Sequence, residues 1–99
     1  MNYPPVISEV TFYPCRPSEK GFLGISSLLF DNKLSLNSIS VYSTSVGGYR
    51  LLFPKTVLRN GREVNYFYPI SRDVYNLMLE AIEQKIISIQ EGGRTHGRS

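Results

Sequence analysis

Few residues in this 99-residue chain are equipped for covalent chemistry. One Cys and one His are present, too few for a zinc site built on those ligands. Cys15 and His96 are the single thiol–imidazole pair on offer. Cys15 stands between Pro14 and Arg16-Pro17, an ordinary loop setting, and His96 lies in a Gly-rich stretch, so the pair is not read as nucleophile and base. The eight acids are scattered, with no Asp-x-Asp run. Gly47-Gly48 and Gly92-Gly93 are isolated pairs and read as turns, not as a phosphate cradle or dinucleotide fingerprint. The expectation is no enzyme, no cofactor, no metal and no small-molecule substrate.

Charge is more informative. Eleven Lys and Arg against eight Asp and Glu give a net +3. The cations concentrate: Arg50, Lys55, Arg59, Arg62 and Arg72 fall within one segment whose sole acid is Glu63, and Arg94 and Arg98 follow Glu91 near the end. Solvated surface charge is the ordinary reading of such a pattern, and a polyanion partner is the functional one. Seven residues are therefore candidates for nucleic-acid contact: Arg50, Lys55, Arg59, Arg62, Arg72, Arg94 and Arg98. Arg59 and Arg62 flank Asn60-Gly61, where a two-stranded ribbon entering a major groove would bring them to guanine edges.

The elements that must position these residues are strands first and a helix last. Val6–Tyr13 alternates, with Val10 and Phe12 on one side and Glu9 and Thr11 on the other. Phe22–Phe30 is a second apolar run, closed by Asp31-Asn32. Leu34–Val41 is a third, with a change of phase near Asn37-Ser38 of the kind a bulge produces. Tyr49–Phe53 is a fourth, stopped by Pro54. Asn60-Gly61 predicts a type I′ turn between Lys55–Arg59 and Arg62–Tyr68, a hairpin arm. For Tyr66, Phe67 and Tyr68 on its returning strand, packing in the core or a dimer interface is the stronger reading and stacking on unpaired bases the other.

Ser71 is a suitable N-cap, with Asp73 in the first turn. Val74, Leu77, Met78, Ala81, Ile82, Lys85, Ile86 and Ile89 keep a helical period, which predicts one amphipathic helix ending near Gln90 with Gly92 as its stop. Residues 1–91 form one expected domain and 92–99 a disordered, basic, Gly-rich tail. The fold class is α+β: an antiparallel sheet of four to five strands, a hairpin arm and one C-terminal helix. A single helix covers one sheet face, so the other face or a strand edge is expected to be closed by a homodimer. No apolar stretch is long enough for a membrane span and no signal peptide is visible, so a soluble cytoplasmic protein is expected.

The segment Tyr49–Ser71, YRLLFPKTVLRNGREVNYFYPIS, resembles the centre of the SpoVG family, the stage V sporulation protein G or putative septation proteins of bacteria. The resemblance rests on Phe53-Pro54, Lys55, Asn60-Gly61 and Tyr68-Pro69-Ile70 at the family's spacing. Ile7-Ser8-Glu9-Val10 is similar to its opening strand, Leu34–Val41 to its segment of the form F-x-(apolar)-x-(polar)-I-x-V, and the helix after Ser71 falls where the family has its long helix. About residues 7–87 are covered. Thr11 and Tyr13 stand where the family's first strand usually carries Arg or Lys. Thr56-Val57 follows Lys55 where many members add basic residues, and the start and tail also depart from the pattern. The resemblance implies a strand-exchanging homodimer that binds DNA, or RNA in some members, and regulates transcription, sporulation or septation. The alternative is a non-catalytic interaction module of the cell-division or sporulation machinery, working through an exposed sheet face.

Overall fold

The computed structural model describes residues 4–16 and 20–96, with side chains as far as Glu91. Four strands, β1 (Ile7–Pro14), β2 (Phe22–Phe30), β3 (Leu34–Ser43) and β4 (Tyr49–Leu52), form an antiparallel meander in the order β1-β2-β3-β4. β5 (Lys55–Val57) and β6 (Glu63–Asn65) make a separate two-stranded sheet, the arm, and α1 (Arg72–His96) follows. The α+β class, the four-stranded sheet, the arm and the C-terminal helix are as expected from the sequence. Among the described residues no helix is long and apolar enough to cross a membrane.

The core is the seam between α1 and one face of the large sheet. Met78, Ile82 and Ile86 of α1 are buried against Leu28, Ile39, Val41 and Leu51, each sheet residue but Leu28 coming from β3 or β4. Burying a side chain of this size contributes roughly 1.5–3 kcal/mol. Val74, Tyr75 and Leu79 widen the apolar stripe of the helix at its N-terminal end. Ile89, expected on this stripe, is instead 38% exposed, and Ile87 is 41% exposed. Met78, Ile82 and Ile86 step by four residues, which sets the buried line of the helix away from both.

Three irregularities decide which side chains reach that seam. Glu9 and Val10 together oppose Leu28, with Glu9 at a left-handed φ of 46°. Asn37 and Ser38 together oppose Ser27, with Ser38 at φ 65°, so the phase change read from the sequence is a bulge. Between the pairs Phe22–Tyr42 and Gly24–Val41, Leu23 is an extra residue on β2. A residue inserted into one strand switches the face of everything beyond it. Ile7 and Val10 therefore both pack on the core, as do Leu36 and Ile39. Under the helix, β2 carries small residues. A Cβ on Gly24 would stand 2.9 Å from Cζ of Phe12, whose ring occupies that space.

Two turns and one helix end differ from the expectation. Both central residues of the β2–β3 connection, Asp31 and Asn32, have φ of 55°, and the Lys33 N–H donates to the Phe30 carbonyl at 3.0 Å. The left-handed pair of a type I′ turn thus lies here. At Asn60-Gly61 only Gly61 is left-handed, at φ 87°. The Gly61 N–H donates to Leu58 O (2.9 Å) and the Leu58 N–H to Arg62 O (2.8 Å), the pattern of a three-residue loop closed by a left-handed glycine. α1 does not end near Gln90; it runs through Gly92 and Gly93 to His96. A glycine stops a helix by turning left-handed; kept helical it costs only about 1 kcal/mol relative to alanine, and no proline follows it. The expected tail keeps only residues 97–99, which lie outside the described residues.

At the other end of α1 the cap is the one read from the sequence. Ser71 Oγ accepts the Val74 N–H at 3.2 Å and the Ser71 carbonyl accepts the Tyr75 N–H at 3.1 Å. Ser71→Ala should therefore lower the unfolding free energy by about 1 kcal/mol. Urea denaturation checks this, and an unchanged midpoint would mean that the hydroxyl is replaced at no cost by water.

Candidate nucleic-acid interface

The arm is short because its root is proline. Lys55, Thr56 and Val57 pair with Asn65, Val64 and Glu63, and the ladder reaches the Tyr66 N–H, which donates to Pro54 O at 2.8 Å. Pro54 has no N–H to return, so pairing stops and Tyr66–Tyr68 leave the strand. The Asn65 side-chain amide donates to Phe53 O at 3.1 Å and brackets the same root. Behind it, the Phe53 ring meets Phe67 edge-on at 5.9 Å and Tyr75 of α1 at 6.3 Å. The Tyr75 hydroxyl then accepts the Leu51 N–H at 3.0 Å. Leu51 lies on edge strand β4, so that hydroxyl occupies a donor that otherwise has only water.

Of the three aromatics read together on the returning strand, Phe67 alone packs against the core, while Tyr66 and Tyr68 are 70% and 59% exposed. The returning strand, expected to run from Arg62 to Tyr68, ends at Asn65.

The basic residues are distributed over three elements. Arg59 and Arg62 sit at the arm's tip, both exposed, and their guanidinium groups have no hydrogen bond or ion pair among the described residues. The tip is held by its backbone and by Asn60, whose Oδ1 accepts the Arg62 N–H at 2.9 Å. Lys55, farther down the arm, is not free: its Nζ is 2.8 Å from Glu63 Oε1 across the ladder. Arg50 lies on β4 with its guanidinium carbon 5.1 Å from the centroid of the Tyr42 ring. Arg72 is the first residue of α1, where the positive end of the helix dipole disfavours a cation unless an anion is near. Arg94 is within the backbone span of α1 but its side chain lies outside the described residues, and so does all of Arg98.

Forked guanidinium groups on a hairpin tip can each grip a phosphate through two parallel N–H donors. Three cations and one acid give the arm, residues 55–65, a net charge of +2. The contacts that sequence reading missed are Arg50 on Tyr42 and Tyr75 on Leu51. Both join residues whose shared neighbourhood depends on strand register, for which a single sequence carries only an indirect signal.

No family model matches the chain, and no curated protein matches it.

Tyr75→Phe removes the acceptor for Leu51 and keeps the ring contact with Phe53. It should lower stability by about 1 kcal/mol and should raise the hydrogen-exchange rate of the Leu51 amide. Wild-type exchange at Leu51 would show that the hydroxyl does not protect it.

Proposed function

We propose that this chain is a SpoVG-like, non-catalytic nucleic-acid-binding regulator, acting as a cytoplasmic homodimer whose arm grips phosphates. The observation that carries this reading is the arm itself: two exposed guanidinium groups without partners among the described residues, on a tip held by its own hydrogen bonds and rooted in the core through Phe53, Phe67 and Tyr75. The Phe53-Pro54 step and Asn60-Gly61, on which the resemblance to the family rests, are the root and the tip of that arm.

Dimerisation is supported by where apolar surface remains exposed. Val57, Leu58, Tyr66, Tyr68 and Ile70 are 42–92% exposed on the arm and the segment that follows it. β4 beside them is an unpaired edge. A second copy lying along that edge and under the arm would cover both. The interaction-module alternative draws on the same surface, with a different protein as occupant.

Light scattering should give twice the 11.2 kDa chain mass at micromolar concentration; a mass of one chain would remove the dimer from this proposal. Binding should weaken steeply with salt in mobility-shift assays on duplex and single-stranded probes. Arg59→Gln with Arg62→Gln should abolish the shift at physiological salt. Glu63→Gln, which releases Lys55 from its ion pair, should tighten binding. Full binding by the arginine double variant would contradict the proposal. Failure of the wild type to bind any probe would leave the interaction-module reading.

A further inference from the structure

The sheet face turned away from α1 carries an organised row of rings. Phe12, Val41 and Leu51 pack into the core, so their neighbours Tyr13, Tyr42 and Arg50 point the other way. Phe22 joins them because Leu23 is the extra residue on β2: simple alternation from Gly24, Ser26 and Leu28 would put Phe22 under the helix, and the bulge returns it to the open face opposite Tyr42. The Phe22 and Tyr42 rings are 5.4 Å apart, and Arg50 lies over Tyr42. Tyr13 is 64% exposed on the neighbouring edge strand, one open-face position along from Phe22. One planar group from each of the four strands thus crosses the sheet, a span of roughly 14 Å at about 4.8 Å per strand.

Among the described residues the stripe and the connection beside it carry cations, and the connection's one acid, Glu19, lies outside the described residues. The stripe's own ion is Arg50, and the β1–β2 connection beside it contributes Arg16 and Lys20 among the described residues. The cross-strand rows Tyr13–Ile25–Ser40–Leu52 and Phe22–Tyr42–Arg50 contain no acid. Five exposed large apolar residues, Val57, Leu58, Tyr66, Tyr68 and Ile70, lie on the arm and the segment after it, against Tyr13 and Leu52 on this face. Flat rings at strand spacing, a guanidinium plane continuing the row and flanking cations match unpaired bases with their phosphates.

We infer that the open face, through Tyr13, Phe22, Tyr42 and Arg50, is a stacking platform for two or three unpaired bases of a single-stranded nucleic acid. This rests on the nucleic-acid reading above and specifies its ligand: the arm holds phosphates, and the face takes bases.

The test uses the full chain and labelled 12-nucleotide oligo(dT) and oligo(U), with a 12-base-pair duplex for comparison, read by fluorescence anisotropy. Tyr42→Leu and Tyr13→Leu change no charge and should each weaken single-strand binding roughly tenfold or more, the loss typical of one stacked base. Duplex binding should change little, and Tyr42→Phe, which keeps the ring, should bind as wild type does. Circular dichroism checks the fold; if Tyr42→Leu unfolds, Tyr13→Leu at its exposed position carries the comparison. Wild-type single-strand affinity in the leucine variants overturns the platform while leaving the arm's role intact. Absence of binding by the wild type to every probe overturns both. Conversion of a wild-type dimer to a monomer by either leucine variant would assign the face to a second copy and overturn the inference.

Discussion

One helix lies against one face of the sheet, and most other features follow from that constraint. Ile82, with Met78 and Ile86, closes over Leu28, Ile39, Val41 and Leu51, and among the described residues no second layer closes the opposite face. Its smallest dimension, 24 Å, is what a sheet and a helix fill. Every sheet residue is thereby assigned to one of two environments, and apolar side chains on the uncovered side need a reason to be there. The bulges at Glu9, Leu23 and Ser38 are the means of assignment. Each moves one or more residues across the pleat, bringing Val10 and Ile39 to the helix and Phe22 to the open face.

The second dependence runs through Tyr75. Its ring closes on Phe53 and its hydroxyl holds the free edge of β4, so the helix fixes the point at which the chain leaves the large sheet. Pro54 then ends the backbone ladder, and Asn65 ties the returning strand to the same place. An arm so rooted carries its tip at a defined distance from the open face. The proposed division of labour, phosphates at the arm and bases at the face, asks for a ligand met at two places at once.

Much of this was legible in the sequence where a local rule operates. Ser71 caps the helix because its hydroxyl is three residues before Val74, and Asn37-Ser38 shifts phase because Leu36 and Ile39 cannot share a face without a bulge. The arm was legible from Asn60-Gly61 between Lys55–Arg59 and Arg62–Tyr68, although its turn type was not: Asp31-Asn32 took the paired left-handed geometry, and Gly61 alone takes it at the arm. Gly92 has no strong local consequence, since glycine in a helix is a cost and not a prohibition. The open-face stripe was hidden for a different reason. Counting in twos along Phe22–Phe30 puts Phe22 with Ser26 and Leu28, and only the pairing with β3 reveals the extra residue at Leu23. Of the seven cations singled out, Lys55 looked equivalent to Arg59 and Arg62 until the ladder, which sets it opposite Asn65, brought Glu63 to it on the diagonal.

A residue-resolved map of binding tests the division between arm and face most directly. In an amide chemical-shift titration with a short oligo(dT), the perturbed signals should be those of Tyr13, Phe22, Tyr42 and Arg50 together with Arg59–Arg62, and the outer surface of α1 at Asn76, Glu80 and Gln84 should stay unchanged. Perturbations confined to α1, or to the arm with a silent sheet face, would contradict it.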